Sequence, residues 1–182
     1  MLAISGSLRA ASSNSAILRV AARVAPVGLD VEIYEGIDRL PYFNPDLDRE
    51  FDDAALPPAV RALRGKIAAS DALLLSSPEY AHGVSGMMKN ALDWLVGGPE
   101  MPAKLVGVIN TAPHATHAYA ALTETLRTMS AALVDDACVA IAVPRDQSLD
   151  VLAADPALTE PLRAVLRAIG AAGARASTHS TQ

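Results

Sequence analysis

The segment from Gly6 to Ser15 has the residue types that bind phosphate. It contains four serines, Asn14 and Arg9, and it lies between a short apolar run and a stretch with helical spacing. Free backbone N–H groups at a helix N-terminus attract anions, and a guanidinium fork matches phosphate oxygens. Helix capping by Ser12 or Ser13, with Arg9 in solvent, explains the same residues. The segment alone therefore leaves phosphate binding and ordinary capping as alternatives.

A second polar segment, from Pro78 to Gly86, follows the apolar run Ala72–Leu75 and leads into another stretch with helical spacing. It supplies Tyr80, several backbone amides and two glycines. Because glycine lacks a Cβ, a planar ring system can lie close to this backbone. Glu79 is interpreted as a hydrogen-bonded structural carboxylate rather than as an acid of the site.

The third polar segment, from Asn110 to His117, follows another apolar run and contains two histidines. Together with His82 they form no convincing metal site, since the H-x-x-H spacing has no companion cysteine cluster and no evident carboxylate. We therefore predict no metal, and we assign these histidines to ligand hydrogen bonds or to plain surface exposure. The chain also lacks G-x-S-x-G, G-x-G-x-x-G and G-x-x-x-x-G-K-[ST], so hydrolase, dinucleotide-fold and P-loop chemistry have no support.

Five apolar runs are expected to form the strands that carry these segments. They alternate with stretches of helical periodicity, and strands that are apolar on both faces imply a parallel sheet covered by helices on both sides. Open α/β sheets hold ligands at the carboxyl ends of their strands, so the first two polar segments are expected to form one site. The predicted strands are Leu2–Ser5, Val31–Tyr34, Ala72–Ser76, Leu105–Asn110 and Cys138–Val143.

Five helices are predicted from apolar residues that recur at helical spacing. The second is expected to begin at residues 57 and 58, because proline suits the first turn of a helix. Trp94, beside the third apolar stripe, is expected in the core. The residues that mark the helices are Ile17, Val20, Ala21 and Val24, then Val60, Leu63 and Ile67, then Val84, Met87, Met88, Ala91, Leu92 and Leu95, then Leu122, Leu126, Met129 and Leu133, and finally Leu158, Leu162, Val165 and Ile169.

The 182 residues are expected to form a single domain over residues 1–176, followed by a disordered polar tail over residues 177–182. The connection Gly36–Leu56 is long, and loops of this length are often functional. It contains the segment Pro41–Asp46 and both phenylalanines of the chain, Phe43 and Phe51. The loop is expected either to pack its aromatic residues on its own protein or to cover a site or contact another subunit.

The net charge of −5 and the lack of a basic run make nucleic acid and anionic membrane surfaces poor partners. No apolar stretch approaches the ~20 residues of a membrane helix, and no signal-peptide pattern is present at the N-terminus. Cys138 is the single cysteine, so the chain has no internal disulfide. We interpret Cys138 as a buried strand residue and expect a cytoplasmic protein.

Taken together, the polar segments resemble those of the NAD(P)H-dependent FMN reductase family, which includes quinone, azo-dye and chromate reductases. The resemblance spans about residues 1–135, and its two motifs together are far more specific than either alone. Ala81 stands where the family usually has Asn, and Ser85 stands where Pro is usual. The matching residues are Gly6, Ser7, Leu8, Arg9, Ser13, Asn14, Leu40, Pro41, Tyr42, Asp46, Pro78, Glu79, Tyr80, Gly86, Lys89, Asn90, Ala91, Asp93 and Trp94.

The resemblance implies a flavodoxin-like α/β fold, a three-layer sandwich whose five-stranded parallel sheet has the order 2-1-3-4-5 and carries helices on both faces. FMN would lie at the switch point between strands 1 and 3. Its phosphate would be held by the first polar segment, and its isoalloxazine would face the second. The implied cofactor-binding residues are Ser7, Arg9, Ser13, Asn14, Ser15, Pro78, Glu79, Tyr80, Ala81, Gly83, Thr111 and His117.

The implied activity is hydride transfer from NAD(P)H through FMN to a small acceptor such as a quinone, a flavin, an azo compound or a metal oxyanion. No catalytic side chain is expected, because the flavin carries the redox chemistry. The alternatives are a flavodoxin-type electron carrier without NAD(P)H activity and a cofactor-free interaction module on the same fold. A homodimer or homotetramer is also implied. We expect Pro41–Asp46 of a neighbouring subunit to complete the flavin site, because Tyr42 and Phe43 are predicted to form an exposed aromatic pair.

Overall fold

The computed structural model describes residues 1–48 and 56–179 of the chain. Its strands are β1 (Leu2–Ser5), β2 (Glu32–Ile33), β3 (Ala72–Ser76), β4 (Glu79–Tyr80), β5 (Gly83–Val84), β6 (Leu105–Asn110) and β7 (Ala132–Ala140). Five of them form one parallel sheet in the order β2-β1-β3-β6-β7, and β4 and β5 form a separate antiparallel hairpin. When only the strands of the main sheet are numbered, this order is 2-1-3-4-5. The predicted flavodoxin-like α/β fold is therefore confirmed.

Helices cover both faces of this sheet. Side chains of a strand alternate between the two faces, and the buried residues of β1 and β3 follow that alternation. Leu2, Ile4 and Leu73 pack in one core cluster, whereas Ala3 and Leu74 pack in the other. The first cluster contains residues of α2 (Pro58–Ala68), α3 (Gly86–Asp93) and α4 (Thr116–Thr128), and the second contains residues of α1 (Ser13–Val24), α5 (Leu149–Ala154) and α6 (Pro156–His179).

The predicted fifth strand has the wrong start. It was expected at Cys138, but β7 begins at Ala132, so Leu133 lies on this strand and not on the preceding helix. Helix α4 ends at Thr128, and the chain turns at Ser130, which has a φ of 59°. Leu133 pairs with Val106 and Cys138 with Val108, so β7 carries an irregular bulge between them. The exposed acidic pair within that bulge hides the strand pattern in the sequence.

Several other boundaries also differ from the prediction. Strand β2 is shorter than expected, although the Tyr34 N–H still donates to the Ala3 carbonyl oxygen at 2.9 Å. Val84 lies on β5 rather than on α3, and Leu95 follows the end of α3. The β4–β5 hairpin and α5 were not predicted. A six-residue helix is too short to show a periodic pattern, and the turn between β4 and β5 lacks the Asn-Gly signal of tight hairpins.

Two 3₁₀ turns, Ile37–Arg39 and Pro45–Leu47, occupy the first part of the long connection between β2 and α2. Residues 49–55 of that connection lie outside the described part of the chain. The disordered tail was predicted from residue 177, but α6 continues to His179, and residues 180–182 lie outside the described part. None of the helices in the described ranges has the length and apolar character needed to cross a bilayer.

Candidate functional site

The three polar segments meet at the carboxyl ends of β1, β3 and β6, which are neighbours in the sheet. We call them the first turn (residues 6–15), the second turn (residues 77–86) and the third turn (residues 110–117). They surround a cavity of about 540 Å³, which we call the three-turn cavity. Its walls are Ser7, Arg9, Ser12, Ser13, Asn14, Ser77, Pro78, Glu79, Tyr80, Asn110, Thr111, Ala112, Pro113, His114, Ala115, Ala142, Val143 and Arg145.

Gly6 lets the first turn approach the second turn closely. Its N–H donates to the Ser76 carbonyl oxygen at 2.8 Å. A Cβ at this position would lie only 2.7 Å from the Oγ atoms of both Ser77 and Ser85. The Ser85 hydroxyl donates to the Gly6 carbonyl oxygen at 2.7 Å and accepts from the Met88 N–H at 3.3 Å, which caps α3. Ser85 therefore joins the first turn to the start of α3, a role that the sequence analysis missed.

Asn14 joins the first turn to the end of β3 and to the third turn. It is buried, and its Oδ1 accepts from the Ser76 Oγ at 2.8 Å and from the Thr111 Oγ1 at 3.3 Å. The Ser76 hydroxyl also donates to the Ile109 carbonyl oxygen at 2.9 Å. A buried polar group is costly without such partners. Asn14 thus fixes the relative positions of the turns, whereas the sequence suggested a direct phosphate donor.

The first turn contains both of the features that its sequence left as alternatives. Ser12 caps α1, since its Oγ accepts from the Ser15 N–H at 3.2 Å, and the Ser15 and Ser5 hydroxyls are 2.9 Å apart. This capping does not involve the guanidinium of Arg9, which is exposed and lines the cavity. Within the described residues, the Arg9 side chain has no ion pair or hydrogen bond. Ser7 and Ser13 line the same wall.

The second turn is built on the β4–β5 hairpin. Its two central residues, Ala81 and His82, have φ values of 48° and 60°, as a two-residue type I′ turn requires. The Glu79 carboxylate accepts from the Ala118 N–H in the first turn of α4 at 2.8 Å. The structural interpretation of Glu79 is therefore confirmed, because a carboxylate at a helix N-terminus satisfies a free N–H group and the helix dipole.

The third turn is fixed by one side chain, that of Asn110. Its Oδ1 accepts from the Ala112 N–H at 2.9 Å, and its Nδ2 donates to the Ala115 carbonyl oxygen at 2.9 Å. The ring of His117 stacks on that of His82, with centroids 4.2 Å apart and planes 22° apart. This contact joins α4 to the tip of the hairpin. In the described part of the chain, no group of three or more His, Cys, Asp or Glu side chains is arranged to hold a metal ion.

The structure brings most, but not all, of the predicted site residues to one cavity. Four of them lie outside its walls, namely Ser15, Ala81, Gly83 and His117, which shape the first turn, the hairpin and the start of α4. The eight that line it are Ser7, Arg9, Ser13, Asn14, Pro78, Glu79, Tyr80 and Thr111.

Arg145 is a cavity residue that the sequence analysis missed. It follows β7 in a connection without a recognisable motif, so nothing in the sequence marked it, although the predicted strand ended only two residues before it. A signal was nevertheless present, because residues that follow a parallel strand lie at the same edge of the sheet as the other turns. In the described ranges, its guanidinium has no ion pair or hydrogen bond either. The cavity therefore has two free cationic side chains, Arg9 and Arg145.

A family model described as NADPH-dependent FMN reductase matches residues 1–145. The chain belongs to this family. An NAD(P)H-dependent FMN reductase of Pseudomonas aeruginosa is 42% identical over 102 residues, which cover 56% of this chain and 52% of the relative. An NADPH:quinone oxidoreductase of Arabidopsis thaliana is 41% identical over 113 residues, with 60% and 56% covered. The chain thus spans about half the length of the curated relatives it matches.

Solved structures agree with this assignment over more of the chain. The flavoenzyme NAD(P)H:(acceptor) oxidoreductase FerB of Paracoccus denitrificans is 27% identical and superimposes with a TM-score of 0.70, with 92% of this chain and 93% of FerB covered. RosB with a bound riboflavin-5′-phosphate derivative has a TM-score of 0.69 at 14% identity, which shows likeness of fold alone. The resemblance to this family that the sequence indicated is confirmed.

Proposed function

We propose that this protein is an NAD(P)H-dependent oxidoreductase that binds FMN in the three-turn cavity and reduces a small acceptor, such as a quinone, a flavin, an azo compound or a metal oxyanion. The observation that carries the proposal is the cavity itself. It combines a cationic, serine-lined end with a more apolar end at the carboxyl edge of a sheet of this family. The relatives named for FMN and quinone reduction support the same activity.

The first turn fits a phosphate group. FMN phosphate carries roughly −1.5 to −2 charges at neutral pH. Arg9 supplies positive charge, and the hydroxyls of Ser7 and Ser13 supply neutral hydrogen-bond donors beside the N-terminus of α1. The Ser12 Oγ accepts from the Ser15 N–H at the cap of α1, whereas the guanidinium groups of Arg9 and Arg145 have no partner within the described residues and are free to bind a ligand.

The second and third turns fit a flat ring system. Pro78 and Tyr80 line the cavity from the second turn, and Thr111 and His114 line it from the third turn. The bonds that fix these turns come from Glu79 and from Asn110, so the cavity walls are held without a ligand. We assign the isoalloxazine to this end.

The protein residues in this proposal bind and orient, and they do not carry out the electron transfer. Bound FMN would supply the redox chemistry, which is the two-electron exchange between the nicotinamide and the acceptor. Tyr80 is 61% exposed at the mouth of the cavity, so this end stays open to a nicotinamide and an acceptor. An open end of this kind suits an enzyme whose two substrates react in turn at one flavin.

The test is to purify the protein, titrate the apo form with FMN, and follow oxidation of NADH and of NADPH with a panel of quinones. We expect FMN binding and quinone-dependent oxidation of at least one nicotinamide. Tight FMN binding without any nicotinamide oxidation would instead assign an electron carrier of flavodoxin type. Protein that stays colourless and binds no FMN would point to an interaction module and would refute the proposal.

We also propose that the protein acts as a homodimer or homotetramer in the cytoplasm. Tyr42 is 92% exposed on the loop after β2, and such a large exposed aromatic side chain supports a contact between subunits. The single cysteine, Cys138, leaves no partner for a disulfide within the chain, which supports a reducing compartment.

A further inference from the structure

A second cavity, of about 400 Å³, adjoins the three-turn cavity at its cationic end. Five residues line both cavities and so form a shared wall, which consists of Ser7, Arg9, Ser12, Ser13 and Arg145. The second cavity continues past this wall along α1 and the connection between β7 and α5. A ligand whose phosphate lies at the first turn can therefore extend into it.

The charges at the shared wall exceed what one phosphate group needs. Arg9 and Arg145 each have a free guanidinium within the described residues, and Arg19 is a further cationic side chain that lines the second cavity. Arg19 lies 3.7 Å from Glu35 in an exposed pair, which is a weak contact. Two guanidinium groups that face one passage suit two linked phosphates, because each guanidinium can hold a phosphate through two parallel hydrogen bonds.

The remaining walls of the second cavity suit a nucleoside. Leu8 is 58% exposed on the first turn, and Leu149 and Leu152 line the opposite side. A flat base that packed on Leu8 would remove apolar surface from water. Asp146 is the one carboxylate among the lining residues, and with Gln147 it offers acceptors to ribose hydroxyls.

We propose that the second cavity is an adenylate subsite and that the protein binds FAD as well as FMN. The inference rests on the proposed flavin site, since the isoalloxazine would occupy the three-turn cavity in both cases. The pyrophosphate of FAD would lie between Arg9 and Arg145, and its AMP half would occupy the second cavity.

The experiment compares dissociation constants of FMN and FAD for the apo protein, measured by quenching of flavin fluorescence. We expect wild-type protein to bind FAD at least as tightly as FMN. Arg145→Ala should raise the ratio of the FAD constant to the FMN constant by about tenfold or more, because it removes a charge-assisted contact to the second phosphate. Leu8→Ser should raise the same ratio by roughly three- to tenfold.

Arg163→Ala is the matched control, because Arg163 is exposed on α6 and lines neither cavity. It should leave both constants unchanged, and FMN binding by each variant reports that the variant is folded. FAD binding more than about a hundredfold weaker than FMN binding would overturn the inference, as would variants that change both constants equally. If Arg145→Ala raised the KM for NADPH but left the FAD constant unchanged, the second cavity would hold the adenylate of the nicotinamide cofactor instead, and the FAD assignment would be wrong.

The outcomes also separate this inference from the proposed function. Protein that binds FMN and reduces quinones but does not bind FAD keeps the function and loses the adenylate subsite. Protein that binds neither flavin refutes both.

Discussion

At the scale of single residues, the first turn separates side chains that hold the protein together from side chains left free for a ligand. Ser12, Ser15 and Asn14 have hydrogen-bond partners within the fold, at the cap of α1 and at the end of β3. Arg9 and Arg145 have no such partner within the described residues and face the three-turn cavity. The structural hydrogen bonds thus set the geometry, and the arginines supply the charge.

Arg9→Ala is expected to weaken FMN binding and to leave the apo protein folded. A charge-assisted hydrogen bond contributes ~1.5–3 kcal/mol, so the FMN dissociation constant should rise by about ten- to a hundredfold. Titration with FMN measures this change, and circular dichroism checks the fold. Riboflavin lacks the phosphate and should bind wild type and variant almost equally. An equal loss for both ligands would place Arg9 outside the phosphate site.

Cys138 is expected to react slowly in the native protein. Burial raises the pKa of its thiol above the ordinary value of 9.0, and the neighbouring Asp135 acts in the same direction. A raised pKa lowers the thiolate fraction at any pH below it, and the thiolate is the reactive species. At pH 8 the native chain should therefore react with iodoacetamide more slowly than the urea-unfolded chain. Since this is the single cysteine, equal rates would contradict the prediction directly.

At the scale of elements, the β4–β5 hairpin contains an energetically unfavourable turn that contacts with the rest of the site stabilise. Its tight turn holds two residues with positive φ, and neither of them is glycine. Such a conformation costs an ordinary residue about 1–2 kcal/mol. The hairpin is nevertheless attached to α4 through Glu79 and through the stacked rings of His82 and His117. These contacts stabilise the positive-φ conformation, which the two turn residues alone would disfavour.

Ala81→Asn is expected to stabilise the protein. Asparagine tolerates the left-handed conformation and is favoured at this position of a type I′ turn, so the free energy of unfolding should rise by about 0.5–1 kcal/mol. Urea denaturation measures the change. Ala121→Asn, at an exposed position in α4, is the matched control and should destabilise instead, because asparagine is a poorer helix former than alanine. The same sign for both variants would contradict the turn assignment.

His117→Ala is expected to change FMN affinity or acceptor preference by less than about tenfold, without loss of folding. His117 lies outside the cavity walls and acts through its contact with His82, so its removal loosens the hairpin rather than removing a ligand contact. FMN titration and quinone kinetics measure both effects. A variant that loses bound metal and all activity would revive a metal site and overturn this assignment.

At the scale of the whole molecule, the loop after β2 is attached to its own subunit and exposes one aromatic residue. The Pro41 carbonyl oxygen accepts from the Trp94 Nε1 at 2.8 Å and from the Asn90 Nδ2 at 3.0 Å. Phe43 packs edge-on against Trp94 with ring centroids 5.1 Å apart. The expected exposed pair is therefore wrong for Phe43, whereas Tyr42 is 92% exposed. Trp94 itself is fully buried, as predicted.

Tyr42→Asp is expected to weaken self-association. A charge in place of an exposed aromatic side chain disfavours burial at a subunit contact. Light scattering should give an oligomer for wild type at micromolar concentration and a larger monomer fraction for the variant. Val27→Asp, at an exposed position beyond α1, is the control and should leave assembly unchanged. A wild-type monomer mass across micromolar concentrations would refute the predicted oligomer.

The sequence by itself predicted the parallel sheet and the family, and the resemblance to that family implied the order of the strands. Apolar runs flanked by polar turns specify buried parallel strands, because a strand covered on both faces has no polar alternation to obscure it. Gly6, Arg9 and Pro78 could be placed at one site for the same reason, since turns that follow neighbouring parallel strands meet at one edge.

Only the tertiary structure decided how these residues divide their roles. The hydrogen bonds of Asn14 and Ser85 join segments more than sixty residues apart, and no local pattern encodes such a pairing. The start of β7 was hidden because its bulge exposes acidic residues in mid-strand, and Arg145 was missed because no motif marks the connection after this strand. The cavity that continues beyond the phosphate end exists because the connection after β7 packs beside α1. That placement depends on how whole helices and strands pack against each other. The spacing of residues along the chain does not show such packing.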